Sequence, residues 1–148
     1  MIYLLRHGEA VPRGEMDSDA ARPLTEKGER QSEAAGLALA ALGAEIGACL
    51  TSPKVRAVDT AKLACRALAI EPETAPELAG GDFDALSLAA GRGDVLLVGH
   101  EPDFSSEIAR LTGGKVKLRK GGIAIVDGST LLALLRPEEL AALADSRP

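Results

Sequence analysis

Apolar residues fall in short blocks separated by glycine, proline and charge, and the spacing of the blocks predicts the elements. Ile2-Tyr3-Leu4-Leu5 is an apolar run ending at Arg6-His7-Gly8, the pattern of a buried strand whose last residues emerge into a loop. The loop runs to about Pro23. Thr25 then caps a helix with Glu26 and Glu29 in its first turns, and the alanine- and leucine-rich body stops at Gly43. Gly28 sits inside this helix against its propensity, which suits a close packing contact. Ala48-Cys49-Leu50-Thr51 predicts a second strand, followed by Ser52 as N-cap, Pro53 at the first helical position and a helix to about Leu68. Residues 71–81, rich in proline and glutamate, read as a looser connection to a helix over residues 82–90, which Gly91 and Gly93 break.

Residues 94–99, Asp-Val-Leu-Leu-Val-Gly, form the clearest strand, a continuous apolar run of the kind covered on both faces. A helix over residues 104–111 follows and ends at Gly113-Gly114. Two further strands, 122–126 and 130–135, flank Asp127-Gly128, and Pro137 opens a C-terminal helix. Strands alternating with helices imply right-handed crossovers around a mostly parallel sheet, with the last hairpin adding antiparallel strands. The expected fold is α/β, a three-layer α/β/α arrangement, and the 148 residues make one domain.

Composition narrows the function. Seventeen basic against twenty-two acidic residues give a net charge of −5, so no outward field gathers a nucleic-acid backbone. Tyr3, Phe83 and Phe104 are the only aromatics, too few for a base-stacking platform. Nucleic acid is therefore not expected as a partner. The amino-terminal run is far shorter than a signal-peptide core or a membrane span, so neither export nor membrane association is expected and the location reads as cytoplasmic. Cys49 and Cys65 lie in apolar stretches without Cys-x-x-Cys spacing, as core thiols do, and no carboxylate cluster has metal-ligand spacing. Neither a metal nor another cofactor is expected.

Ligands of open α/β sheets bind beyond the carboxyl ends of the strands. Both histidines of the chain, His7 and His100, fall immediately after predicted strands, and Arg6 directly precedes the first. Arg56 lies one turn into the helix that begins at Ser52-Pro53, so its guanidinium can reach back over the helix N-terminus. Arg6, Arg56 and the free N–H groups there can surround one phosphate, with Ser52 as a further candidate contact.

Four stretches carry a specific resemblance: Leu4-Leu5-Arg6-His7-Gly8-Glu9-Ala10; Arg22-Pro23-Leu24-Thr25-Glu26-Lys27-Gly28; residues 51–61 around Ser52-Pro53 and Arg56; and Leu97-Val98-Gly99-His100-Glu101-Pro102. In type and order they resemble the signature segments of the histidine phosphatase superfamily, closest to its SixA-type phosphohistidine phosphatase branch, from Met1 to about Val126. The resemblance implies a phosphoglycerate mutase-like fold and a metal-independent hydrolase. It also implies His7 as the phosphoryl-accepting nucleophile, Arg6 and Arg56 as phosphate-binding arginines and His100 as the second active-site histidine. Neutral imidazole is a competent nucleophile near pH 7, and arginines with a protonated His100 can offset the charge of a phosphoryl group in transfer.

Larger members of the superfamily place an acid between the second arginine and the second histidine, and here only Glu77 and Asp82 are candidates. Glu77 reads equally as a solvated loop carboxylate, and Asp82 as a helix N-cap. A weak acid favours phosphohistidine over phosphomonoesters, because imidazole can leave as a neutral molecule while an alkoxide needs a donor. The expected substrate is a phosphohistidine-bearing protein, such as a histidine phosphotransfer domain. The alternatives are a phosphomonoesterase acting on a small phosphorylated molecule and a non-catalytic phosphate- or phosphopeptide-binding module. Lys115, Lys117, Arg119 and Lys120 read as guards on a sheet edge or as a surface for an acidic partner. Asp19 and Arg22, in the long first loop, are placed at the border of the site or as ties for that loop.

Overall fold

The computed structural model describes residues 1–146. Its strands are β1 (Ile2–Arg6), β2 (Ala48–Thr51), β3 (Pro72–Thr74), β4 (Val95–Gly99), β5 (Ile123–Asp127) and β6 (Thr130–Leu135). Its helices are α1 (Glu26–Ala41), α2 (Val55–Leu68), α3 (Ala85–Ala89), α4 (Asp103–Thr112) and α5 (Pro137–Asp145). All six strands join one sheet in the order β3-β2-β4-β1-β5-β6. The first four run parallel, and β5 lies antiparallel to β1 with β6 outside it.

Alternation within the two central strands creates the layers. Tyr3 and Leu5 of β1 and Leu96 and Val98 of β4 point to one face, where they pack with Leu39, Ala61 and Leu140 from α1, α2 and α5. Ile2, Leu4, Val95 and Leu97 point to the other, against Ala85, Phe104 and Ile108 from α3 and α4. Side chains at successive strand positions must face opposite ways, so two apolar faces require a helical layer on each. Both cysteines are buried on the first face. Among the described residues, no helix is long and apolar enough to cross a membrane.

Four expectations need correction. Residues 71–81 are not simply loose: Pro72–Thr74 forms an edge strand beside β2, and a 3-10 turn follows at Pro76–Leu78. Three residues, one of them proline, carry no legible alternation, and an edge strand tolerates proline. The helix expected over 82–90 shrinks to Ala85–Ala89, and Asp84 rather than Asp82 caps it, accepting from Ser87 N–H at 3.2 Å. The helix expected from Pro53 begins at Val55; Ser52 Oγ still accepts a backbone N–H, that of Lys54 at 3.2 Å, but in the turn before the helix. Finally, residues 115–120 form no strand, and the sheet edges are β3 and β6.

Candidate active site

The parallel register brings three chain segments out of the sheet together. Arg6 lies opposite Gly99 and Thr51 opposite Val98. The ladder continues one residue further, with His7 N–H donating to the Gly99 carbonyl at 3.0 Å and Ser52 N–H to the Val98 carbonyl at 2.9 Å. His7, Ser52 and His100 therefore emerge side by side at the carboxyl edge, and all three are buried. The two imidazole centroids are 5.2 Å apart.

Two glycines let the loop after β1 lie against the first turns of α1. A Cβ on Gly8 would come within 2.6 Å of the Gly28 carbonyl oxygen, and one on Gly28 within 2.0 Å of the Glu9 oxygen. This close approach accounts for Gly28 inside a helix, and Thr25 caps that helix by accepting from Gly28 N–H at 3.1 Å. The Gly8 N–H donates to Thr60 Oγ1 at 3.0 Å, and the Thr60 hydroxyl donates to the Arg56 carbonyl at 2.8 Å. The segment carrying His7 is thus tied to the helix that carries Arg56.

His7 Nδ1 lies 2.7 Å from the Gly8 carbonyl oxygen, which can only accept, so Nδ1 carries the proton and Nε2 keeps its lone pair. Burial, followed by the charges of Arg56, Arg6 and Lys120, pulls the ring down to about 4 against the Gly8 bond, and His7 is neutral at pH 7. His100 Nε2 lies 2.7 Å from Ser52 Oγ. Burial, then His7, Arg56 and Lys54, lower this ring to about 3. Burial and these charges thus act against the protonated His100 expected from the sequence to offset phosphate charge. A phosphate dianion beside the ring acts in the opposite sense and favours its protonation.

The cavity in front of these rings measures about 310 Å³. Arg6, Arg13, Arg22, Lys54, Arg56 and Lys120 line it, opposed by Glu101 and Asp103. Arg6 is fixed by donating from Nη1 to the Leu118 carbonyl at 3.0 Å. Arg56, only 4% exposed, donates to the Asp19 carbonyl at 2.9 Å and to its carboxylate at 3.2 Å. Burial lowers the proton affinity of both guanidiniums, which arginine's very high starting value leaves charged. Among the described residues, three buried side-chain nitrogens have no partner: Arg6 Nε, Arg56 Nε and His100 Nδ1. All belong to residues of this one cavity, whose donor set is that of an oxyanion site.

The other candidates divide. Ser52 stands behind His100 as its hydrogen-bond partner. Arg22 combines both readings, since it lines the cavity and also holds the loop, donating to Asp19 at 3.0 Å and to the Val11 carbonyl at 2.9 Å. Desolvation acts to raise the Asp19 carboxyl, but Arg56 and Arg22 outweigh it and hold the group below the ordinary value. Glu77 and Asp82 are exposed and line no part of the cavity. The carboxylates that do are Glu101, which accepts from Ser105 and from Leu118 N–H at 3.3 Å, and Asp103, the first residue of α4. Sequence reasoning missed Arg13, Lys54, Lys120 and Thr60. For Thr60 a signal existed: it follows Arg56 by four residues on one helix, hence on the same face.

The model of the histidine phosphatase superfamily (branch 1) matches residues 2–94. The chain belongs to this superfamily. Within it, the chain is similar to the protein histidine phosphatase SixA solved in complex with tungstate, with a TM-score of 0.80 and 27% identity over 94% of this chain and 98% of that one. SixA from Agrobacterium tumefaciens superposes with a TM-score of 0.77 and 25% identity over 92% and 97% of the two chains. An uncharacterised protein of Picosynechococcus sp. is 36% identical over 134 residues, 82% of this chain and 81% of that protein. The SixA-type branch and the phosphoglycerate mutase-like fold hold for this histidine phosphatase.

Proposed function

We propose that this histidine phosphatase hydrolyses phosphohistidine on proteins, in two transfers through His7. The observation that carries the reading is the fixed tautomer: a neutral ring held by its Nδ1–H on the Gly8 carbonyl, within a cavity rich in arginine. In the first transfer the Nε2 lone pair of His7 forms a bond to phosphorus as the P–N bond of the substrate breaks. The substrate imidazole takes that electron pair and departs neutral, because its other nitrogen already holds a proton. Arg6, Arg56 and His100 meet the charge on the phosphoryl oxygens.

The phosphorylated His7 keeps its Nδ1 proton on the Gly8 carbonyl, so it too is a ring that can leave neutral. In the second transfer the oxygen of water bonds to phosphorus, the P–Nε2 bond breaks, its electrons return to Nε2 and the water gives up a proton to solvent. Glu101 is engaged by Ser105 and Leu118, and Glu77 and Asp82 lie exposed away from the cavity, which favours P–N substrates over esters that need a donor. The similarity to SixA supports the same substrate class.

The test compares turnover of a phosphohistidine peptide and an aryl phosphate by wild type and His7→Ala, with EDTA present. Wild type is expected to prefer the peptide by about a hundredfold or more in kcat/KM, the scale of one proton-transfer contribution. The substitution is expected to cost at least about a thousandfold on either substrate. Equal turnover of the aryl phosphate would favour a phosphomonoesterase, and an active His7→Ala protein would end the covalent route.

A further inference from the structure

Beside the phosphate cavity lies a second, larger one of about 650 Å³, and the two share Arg6 and Lys120. Lys27 of α1 and Arg119 stand on its walls, together with Glu9 and Glu138. Its acids are engaged within the protein: Glu9 accepts the Thr25 hydroxyl at 2.8 Å, and Glu138 lies 3.6 Å from Arg136. Among the described residues, Arg6, Lys27, Arg119 and Lys120 form no ion pair. On a chain of net charge −5, a groove of unpaired cations running into the reaction centre is a local reversal of the protein's own field.

We propose that this groove receives an acidic stretch of the polypeptide that carries the phosphoryl group. The inference rests on the phosphohistidine reading and adds a partner chemistry to it. The phosphoryl group itself is met by Arg6, Arg56 and His100 and has no use for Lys27 or Arg119. Glu9 and Glu138 interrupt the groove, so a compact polyphosphate filling it would face two carboxylates. A chain with carboxylates at intervals can match the cations and pass over the gaps. The wall that carries Arg119 and Lys120 is anchored to the nucleophile's own backbone. The Leu118 carbonyl accepts from Arg6 at 3.0 Å, and Gly121 N–H donates to the carbonyls of Arg6 and His7, each at 3.0 Å. A segment docked there is in fixed register with His7.

The experiment uses two synthetic peptides, each with one phosphohistidine, flanked by glutamates in one and by lysines in the other. Wild type is expected to favour the acidic peptide by about tenfold or more in kcat/KM, with the preference shrinking as salt is raised. The double variant Lys27→Glu/Arg119→Glu should abolish the preference while turnover of an aryl phosphate stays within about threefold, since neither residue reaches the phosphoryl group. Equal use of the two peptides by wild type, or a preference that survives the double variant, overturns the proposal and leaves the phosphohistidine reading intact. If neither peptide is turned over while the aryl phosphate is, the phosphohistidine reading has failed. The groove is then tested by inhibition with the unphosphorylated acidic peptide: inhibition of aryl phosphate hydrolysis that the double variant removes sustains it, and no inhibition overturns it.

Discussion

Two loops leave the sheet side by side, one after β1 and one after β4, and each delivers a buried histidine that it holds in a different way. The ring of His7 meets a backbone carbonyl, which accepts and never donates, so its protonation pattern has one solution. The ring of His100 meets the hydroxyl of Ser52, which can donate to a bare nitrogen or accept from a protonated one. The supports match. The loop of His7 is clamped between Gly28 and Thr60, both of which also fix neighbouring backbone. The first arrangement suits the nucleophile proposed for His7, which must present the same lone pair in every cycle. The second would suit a ring that gains a proton as phosphate arrives and loses it as phosphate leaves, the role proposed for His100.

The comparison breaks most visibly if His100 can be removed without consequence. Replacing it with asparagine keeps a hydrogen-bonding side chain but not the inducible charge, and kcat is expected to fall about a hundredfold, the scale of one lost transition-state donor. His100→Asn should leave the covalent route through His7 in place, so steady-state kinetics with a trapped phosphoenzyme separates the two roles. Wild-type kcat in that variant would mean that His100 carries no charge in the reaction.

Both rings share burial, and acid exposes what it costs. The folded-state values, about 4 for His7 and about 3 for His100, lie below the ordinary histidine value near 6.5. An unfolded chain binds protons below pH 6.5 that the folded chain still refuses, so stability is full above that pH and is lost as pH falls towards 4. At pH 5 each ring costs up to about 2 kcal/mol. Denaturant unfolding at pH 7 and pH 5 reads the loss directly, and the double variant His7→Asn/His100→Asn is expected to flatten it. An unchanged slope in that variant would place the acid sensitivity elsewhere.

Most of this site is legible in the chain because its parts sit at strand ends. Arg6, His7 and His100 follow apolar runs that could only be buried strands, and Arg56 follows a turn that opens a helix. Local pattern is enough for such positions. Lys54 and Lys120 reach the site through tertiary placement, and nothing in their own neighbourhoods marks them. The lysine run at 115–120 misleads for a related reason. Alternating lysines are compatible with an edge strand, but Leu118 is drawn inward by hydrogen bonds with Arg6 and Glu101, and the segment becomes a wall of the site. β3 escapes because three residues with a proline carry too little period to read.

Ser52→Ala has the smallest expected effect and tests the comparison most closely. Ser52 touches no phosphate in the proposed mechanism; it acts through the ring behind which it stands. Without its oxygen, a protonated His100 loses the acceptor for its Nε2–H, while a neutral ring with a bare Nε2 loses only a weak donor. The charged form is the more dependent of the two, so its proton should leave at lower pH. The alkaline limb of the kcat profile is then expected to move to lower pH, with a loss of about three- to tenfold at neutral pH, the worth of one hydrogen bond to a charged group. Ser52→Thr, which restores the hydroxyl, should return the limb towards its wild-type position. A loss in kcat with no movement of the limb would mean that Ser52 only braces the turn before α2, and the switchable character assigned to His100 would have to come from another partner.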